Sequence, residues 1–250
     1  MTSEEKAVKL SRDKLKIAAI IPAFNEEGKI SRVIRKIPRD LVDEIVVIDD
    51  GSTDATPEQI KQENVTLLTH SERKGIGAAI RTGFGYALRN NVDILVIMAG
   101  NDKDNPGQID RLLYPIINEG YDYVQGSRYL LGGEYGKMPL HRKLFTRLYS
   151  CAVRVLTGYN LTDGTNGFRA YGCWILKDAR IDLNQSWLDE ALEYYLSIKV
   201  ILLKYKIREV PVTKLYPQTK SYRSYTKVKP FSGWWKRLRP LFYLTLGIKK

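Results

Sequence analysis

The sequence predicts an α/β domain on a mostly parallel sheet, and three observations carry that reading. Short, nearly continuous apolar runs alternate with helix-like stretches in the first half of the chain. Clusters of Asp, Asn, Ser and Gly follow the runs. The chain has 250 residues, 44% hydrophobic and 27% charged, enough for one large domain with its own core.

The runs at residues 16–21 (KIAAII), 44–49 (EIVVID), 64–69 (NVTLLT) and 92–98 (VDILVIM) are read as strands. Runs without polar alternation suit parallel strands covered on both faces. Residues 26–36, 56–62, 75–89 and 107–118 are the helical segments between and after them. A β-α-β-α order implies right-handed crossovers and a ligand site beyond the carboxyl ends of the strands. The second half is less regular. Residues 121–125, 167–171 and 206–212 are strand-like, residues 140–156 form an amphipathic basic helix, and residues 188–203 read as one long helix carrying Glu190 and Glu193.

Two cysteines, Cys151 and Cys173, are too few for a disulfide framework or a Cys-rich zinc site. No stretch reaches the ~18 apolar residues of a membrane span, and the first 14 residues lack an apolar signal core. The expected location is the cytoplasm. The net charge of +12 is uneven: residues 201–250 carry 13 Lys and Arg against Glu209 as the single acid, while the rest balances. A basic tail seeks an anionic surface. Trp234 and Trp235 beside Lys236, Arg237 and Arg239, followed by a short apolar run after Pro240, are the composition of a segment lying in a membrane interface. The expected organisation is a domain over residues 1–213 and a basic aromatic extension over 214–250, peripheral on the cytosolic face of the membrane.

Three polar clusters open on one sheet edge: residues 22–27 (PAFNEE), 49–54 (DDGSTD) and 99–106 (AGNDKDNP). Any one of them could be capping or turn chemistry. Together they suit a divalent cation and a diphosphate. No Gly-x-Gly-x-x-Gly follows the first strand and no Walker motif is present, which weakens dinucleotide and P-loop readings.

PAFNE, DDGSTD and residues 73–79 (RKGIGAA) resemble family 2 glycosyltransferases of the GT-A fold. Residues 126–129 (GSRY) with Gly132 and Gly133, Arg142 with Thr146, and residues 163–171 (DGTNGFRAY) resemble the dolichyl-phosphate mannosyltransferase, or polyprenyl-phosphate glycosyltransferase, branch. The resemblance implies an inverting hexosyltransferase that moves a sugar from a UDP- or GDP-sugar to a lipid-linked phosphate. It implies that Pro22, Ala23, Asn25, Glu26, Asp50 and Gly51 line the nucleoside pocket, with Lys74 and Gly75 near the base or ribose, and Arg169 and Lys227 on the diphosphate. Arg128, Arg142 and Thr146 match acceptor-phosphate positions. Asp104, Arg128, Arg142 and Asp163 form the expected catalytic set, with Asp163 or Glu190 as base if the acceptor is a hydroxyl.

The sequence departs from the family at the metal motif. Relatives carry Asp-x-Asp directly after the fourth strand, where this chain has Ala99 and Asn101. Asn101, Asp102 and Asp104, the two acids taken as exposed loop carboxylates, are the expected ligands of Mg²⁺ or Mn²⁺, and Lys103 could replace part of the metal's charge. Two other classes share parts of this pattern. A nucleotidyltransferase would carry a Gly-rich signature near the first strand. A nucleic-acid binder would stack bases on Tyr222, Tyr225, Trp234 and Trp235, which the balanced charge of residues 1–200 opposes. No nucleic-acid partner is expected, and the reading allows a homo-oligomer.

Overall fold

The structure, a computed structural model, describes residues 15–216 and 232–249. Seven strands form one sheet: β1 (Ile17–Ala23), β2 (Glu44–Asp49), β3 (Thr66–Thr69), β4 (Ile94–Ile97), β5 (Tyr123–Ser127), β6 (Arg169–Gly172) and β7 (Ile207–Pro211). Their order is β3-β2-β1-β4-β6-β5-β7. The β1–β2, β2–β3, β1–β4 and β5–β7 pairs are parallel, and β6 runs antiparallel to both its neighbours. The expected mostly parallel sheet is present, and each expected strand falls within it.

The apolar runs divide by the two-residue period of a strand. In β1, Ile17, Ala19 and Ile21 join one core with Ile30, Val33 and Ile34 of α1 (Ile30–Arg35) and Leu112 and Leu113 of α4 (Ile109–Glu119). The alternate residues Ala18 and Ile20 face a second core with Ala79, Ile80 and Phe84 of α3 (Ile76–Arg89) and Leu192 and Leu196 of α6 (Leu192–Leu202). The short α2 (Thr56–Lys61) precedes β3. Burial on both faces is why these strands read as unbroken hydrophobic runs.

Two helices differ from expectation. The first begins at Ile30 rather than Glu26, because residues 26–29 form a turn with Gly28 at φ 69°. The long helix expected over residues 188–203 is broken: Ser186–Ala191 is a 3-10 segment whose Asp189 has φ 0°, and α6 starts after it. There the 3-10 segment meets α3 at Gly77, where a Cβ would come within 1.5 Å of the Asp189 carbonyl oxygen.

The C-terminal segment gives a larger correction. Helix α7 (Ser232–Thr245) packs on α5 (Leu140–Thr157) and α6, and a third core joins Leu241 of α7 to Phe145, Tyr149, Tyr194 and Ile198. Trp234 stacks on Phe145 with ring centroids 5.1 Å apart, and Tyr243 meets Trp187 edge-on. Of the aromatics expected in a membrane interface, Trp234 and Tyr243 take part in this packing, while Trp235, Leu246 and Ile248 remain exposed. No helix among the described residues is long and apolar enough to cross a membrane.

Leu241→Ala tests this packing. Leu241 is fully buried, so its truncation should cost about 2–5 kcal/mol, read as a lowered denaturation midpoint. A loss below about 0.5 kcal/mol, the level of a surface change, would detach α7 from the core.

Candidate active site

A cleft of about 660 Å³ opens at the carboxyl ends of β1 and β4. The connections from β1 lead to β2 on one side and those from β3 to β4 on the other, which makes this the switch point where open α/β sheets bind ligands. Pro22, Ala23, Glu26, Asp50, Lys74, Gly75, Asn101 and Arg142, all expected at the site, line it.

Asp50 organises the β1–β2 side of the cleft. It is buried, and its carboxylate accepts the backbone N–H groups of Lys74 (2.9 Å) and Gly75 (2.8 Å) and stands 2.8 Å from His70 Nδ1. One carboxylate thus folds the 70–75 loop over the sheet edge and sets the start of α3. Gly51 makes this approach possible: at φ 70°, a Cβ there would lie 2.6 Å from the Glu72 backbone carbon. The Arg73 guanidinium then lies 4.4 Å from the Phe24 ring centroid at the rim. Asn25 does not line the cleft. Its N–H donates to Ser52 Oγ and its Oδ1 accepts from the Thr53 N–H, joining the loops after β1 and β2.

Several expected site residues serve the scaffold instead. Arg128 and Asp163 form a fully buried bidentate pair at 2.6 and 2.7 Å, with Arg128 also donating to Thr165 Oγ1. Burial opposes the Arg128 charge, but Asp163 overrides it and holds the guanidinium above its ordinary range. Neither residue lines the cleft. Arg128 and Asp163 satisfy each other, so an acceptor phosphate or a hydroxyl proton would have to compete with this pair. Thr146 is buried and hydrogen-bonded to the Arg142 carbonyl and to Thr165, which itself lines the cleft. Arg169, expected on the diphosphate, is fully buried and donates to the Asn166 and Glu193 carbonyls and to Ser197 Oγ. It anchors the turn before β6 to α6. Lys227 lies outside the described residues.

The loop after β4 gives the sharpest departure. Asp102 adopts φ 56° and its carboxylate turns toward α1, where it meets Arg32 (2.7 Å) and Lys36 (2.9 Å). Asp104 is not an exposed loop carboxylate. It is 5% exposed and accepts both its bonds from Lys214 Nζ, at 2.6 and 2.8 Å, while Lys214 also reaches Asn166 Oδ1. Asn101 Oδ1 accepts from the Lys103 N–H at 3.3 Å. The three expected metal ligands therefore point in different directions, and among the described residues no three His, Cys, Asp or Glu side chains group to hold a cation. This donor set does not fit a divalent ion.

The loop instead presents Lys103 to the cleft, 7% exposed, with its ammonium 5.0 Å from the Tyr216 ring centroid. Burial, with Lys214 and Arg142 nearby, pulls that ammonium down to about 7. Lys214 lines the cleft as well, and so do Asp189, Glu193, Lys236 and Arg237, none of which was expected there. Glu190 takes Lys236 at 3.1 Å and Arg237 at 3.9 Å. The basic residues around Trp234 were legible as a cluster, but nothing local in the sequence shows that α7 folds back onto the cleft.

Asp104→Ala should leave the Lys214 charge buried and uncompensated, costing about 3–5 kcal/mol of stability. Equilibrium denaturation measures this, and a change under about 1 kcal/mol would mean that the pair is solvated.

The profile of Glycosyl transferase family 2 matches residues 18–180. The chain is 31% identical over 206 residues to the undecaprenyl-phosphate mannosyltransferase of Micrococcus luteus, covering 80% of this chain and 83% of that protein. It is likewise 31% identical over 223 residues to the UDP-N-acetylglucosamine–dolichyl-phosphate N-acetylglucosaminyltransferase of Methanococcus voltae, covering 82% and 88%. Among solved structures, glucosyl-3-phosphoglycerate synthase from Mycobacterium tuberculosis, in complex with Mn²⁺, UDP and glucosyl-3-phosphoglycerate, superposes with a TM-score of 0.71 at 19% identity, over 97% of this chain and 84% of that one. Another complex of that enzyme holds Mg²⁺ with UDP, so this fold accommodates a divalent cation beside a nucleotide. Sheet, cleft and family profile agree: the chain belongs to glycosyl transferase family 2 and is a glycosyltransferase of the GT-A fold.

Proposed function

We propose that this enzyme transfers a hexose from a nucleoside-diphosphate sugar to a polyprenyl-type phosphate at a membrane surface, inverting the anomeric centre. The relatives named for undecaprenyl-phosphate and dolichyl-phosphate transfer support the acceptor class. One observation carries it: α5 offers a cation to the cleft and an apolar face to the outside. Arg142 lines the cleft, while Leu140, Leu144 and Leu148 on the same helix are 80%, 50% and 51% exposed, and Val155 is 75% exposed. At about 100° per residue these four fall within one quadrant, with Arg142 and Thr146 roughly opposite. Fully exposed Leu131 adds to the outward apolar surface. Membrane contact is thus assigned to α5 rather than to the C-terminal aromatics.

In this reading Arg142 holds the acceptor phosphate. A phosphate monoester is already anionic at neutral pH, so the attacking oxygen needs no general base. Asp50 and the 70–75 loop hold the nucleoside side of the donor.

Two measurements test the reading. Arg142→Ala should reduce use of a short-chain polyprenyl phosphate by a factor equivalent to about 2–4 kcal/mol, with donor affinity within about twofold of wild type. An equal fall in donor affinity would move Arg142 to the donor site. The double change Leu144→Glu, Leu148→Glu should abolish sedimentation with phosphatidylglycerol vesicles while the melting temperature stays unchanged, as for other exposed positions. Undiminished vesicle binding would remove α5 from the membrane contact.

A further inference from the structure

We infer that Lys103, backed by the Lys214–Asp104 pair, carries the positive charge that neutralises the donor diphosphate at the β4 corner, so that donor binding does not depend on a divalent cation. The inference rests on the nucleotide-sugar reading above. Its basis is what the loop after β4 presents to the cleft. The left-handed turn at Asp102 sends that carboxylate to Arg32 and Lys36 and leaves Lys103 facing inward. The other acid of the loop, Asp104, is neutralised by Lys214 at 2.6 Å and buried. The remaining side-chain oxygen of residues 101–104 on the cleft wall belongs to an amide, Asn101, which accepts the Lys103 N–H. A divalent cation on this loop would meet an ammonium and no unpaired carboxylate from residues 101–104, whereas hard cations take several oxygen ligands. A diphosphate would meet the charge it needs.

The loop is also held in this state. Asp104 and Lys214 form a β-bridge, and the Leu215 N–H donates to the Lys103 carbonyl at 2.9 Å. Lys103 is thus fixed on both sides by the segment after β7. A preorganised cation at the position where charge develops stabilises the departing group without reorganisation. In the transfer step the acceptor oxygen bonds to the anomeric carbon, the bond from that carbon to the diphosphate oxygen breaks, and its electron pair leaves on the diphosphate. The anionic diphosphate favours the ammonium form of Lys103, which acts by charge and transfers no proton in this step.

Calorimetric titration of the full chain with UDP and with GDP, in EDTA and in Mn²⁺, tests this. Whichever diphosphate binds should show a Kd in EDTA within threefold of that in Mn²⁺. Lys103→Met, of similar length and uncharged, should weaken that diphosphate at least tenfold in EDTA, a loss of the order of one charge-assisted contact, and change the matching monophosphate less than twofold. Lys103→Arg should stay within threefold of wild type. A wild-type Kd that rises more than tenfold in EDTA would overturn the inference and leave the donor reading standing, as would Lys103→Met binding the diphosphate like wild type. Failure of both UDP and GDP to bind under either condition would overturn the donor reading and this inference with it.

Discussion

The ion pair between Asp104 and Lys214 sets much of what this cleft can be. Both groups are buried, and the bond ties the loop after β4 to the segment after β7 across the far half of the sheet. Taking both charges out of water is costly, and they compensate only together with close geometry and further hydrogen bonds, here supplied by Asn166. Breaking the pair is therefore far worse than never having had it. Once it forms, the loop has no freedom to turn Asp104 into the cleft, and Lys103, its neighbour, must face inward. A single buried contact decides both the position of the loop and the sign of its charge.

Other motif residues follow the same logic. Asp50 spends its oxygens on two backbone N–H groups and His70. Arg128 and Asp163 satisfy each other, and Arg169 donates to two carbonyls and a hydroxyl. Glu209 in β7, the acid of the basic tail, accepts the N–H groups of Thr162 and Asp163, and burial raises its carboxyl above the usual range. These groups shape the loops whose other residues face the cleft. Charged side chains are almost never fully buried unless paired, so a motif rich in charge is a statement about loop architecture as much as about substrate.

That distinction explains what the sequence could and could not show. The strands were legible because burial on both faces leaves a continuous apolar run, and the sheet edge followed from the polar clusters after them. Pro22, Glu26, Asp50 and Lys74 fell where the strand ends put them. The burial of Arg128, Asp163 and Arg169 against protein partners was hidden, because a motif records which residues sit in a region and not where their side chains point. The break at Asp189 was invisible because its apolar neighbours keep helical spacing on both sides. The packing of helix α7 was hidden for a related reason. Trp, Tyr and Leu with intervening Arg suit a membrane interface and a helix–helix contact equally well, and only the partners Phe145 and Trp187, far away in sequence, distinguish the two. Lys214 could have been suspected from the unusual Asp102-Lys103-Asp104 run, since a buried acid needs a partner, but no local spacing points to a lysine after β7.

The two faces of α5 impose a geometric condition on the proposed reaction. A helix with its side chains is about 10–12 Å across, so an acceptor phosphate held by Arg142 would sit roughly that far from the surface formed by Leu140, Leu144 and Leu148. The polar layer on each side of the hydrocarbon is thinner, about 5–8 Å, since hydrocarbon takes about 30 Å of a bilayer ~40–45 Å thick overall, so the leucine face would have to enter the hydrocarbon edge. A phosphate joined to an isoprenoid chain could then reach the cleft while its chain stays among the lipid tails. Lys143 and Arg147 flank the leucines on the same helix, and basic residues beside an apolar stripe strengthen attachment to an anionic leaflet by about 1 kcal/mol each. The sugar donor needs no such proximity, because Asp50 and the 70–75 loop lie on the β1–β2 side of the cleft. In the proposed reaction the helix would separate a lipid side from a nucleotide side, with the anomeric carbon between them.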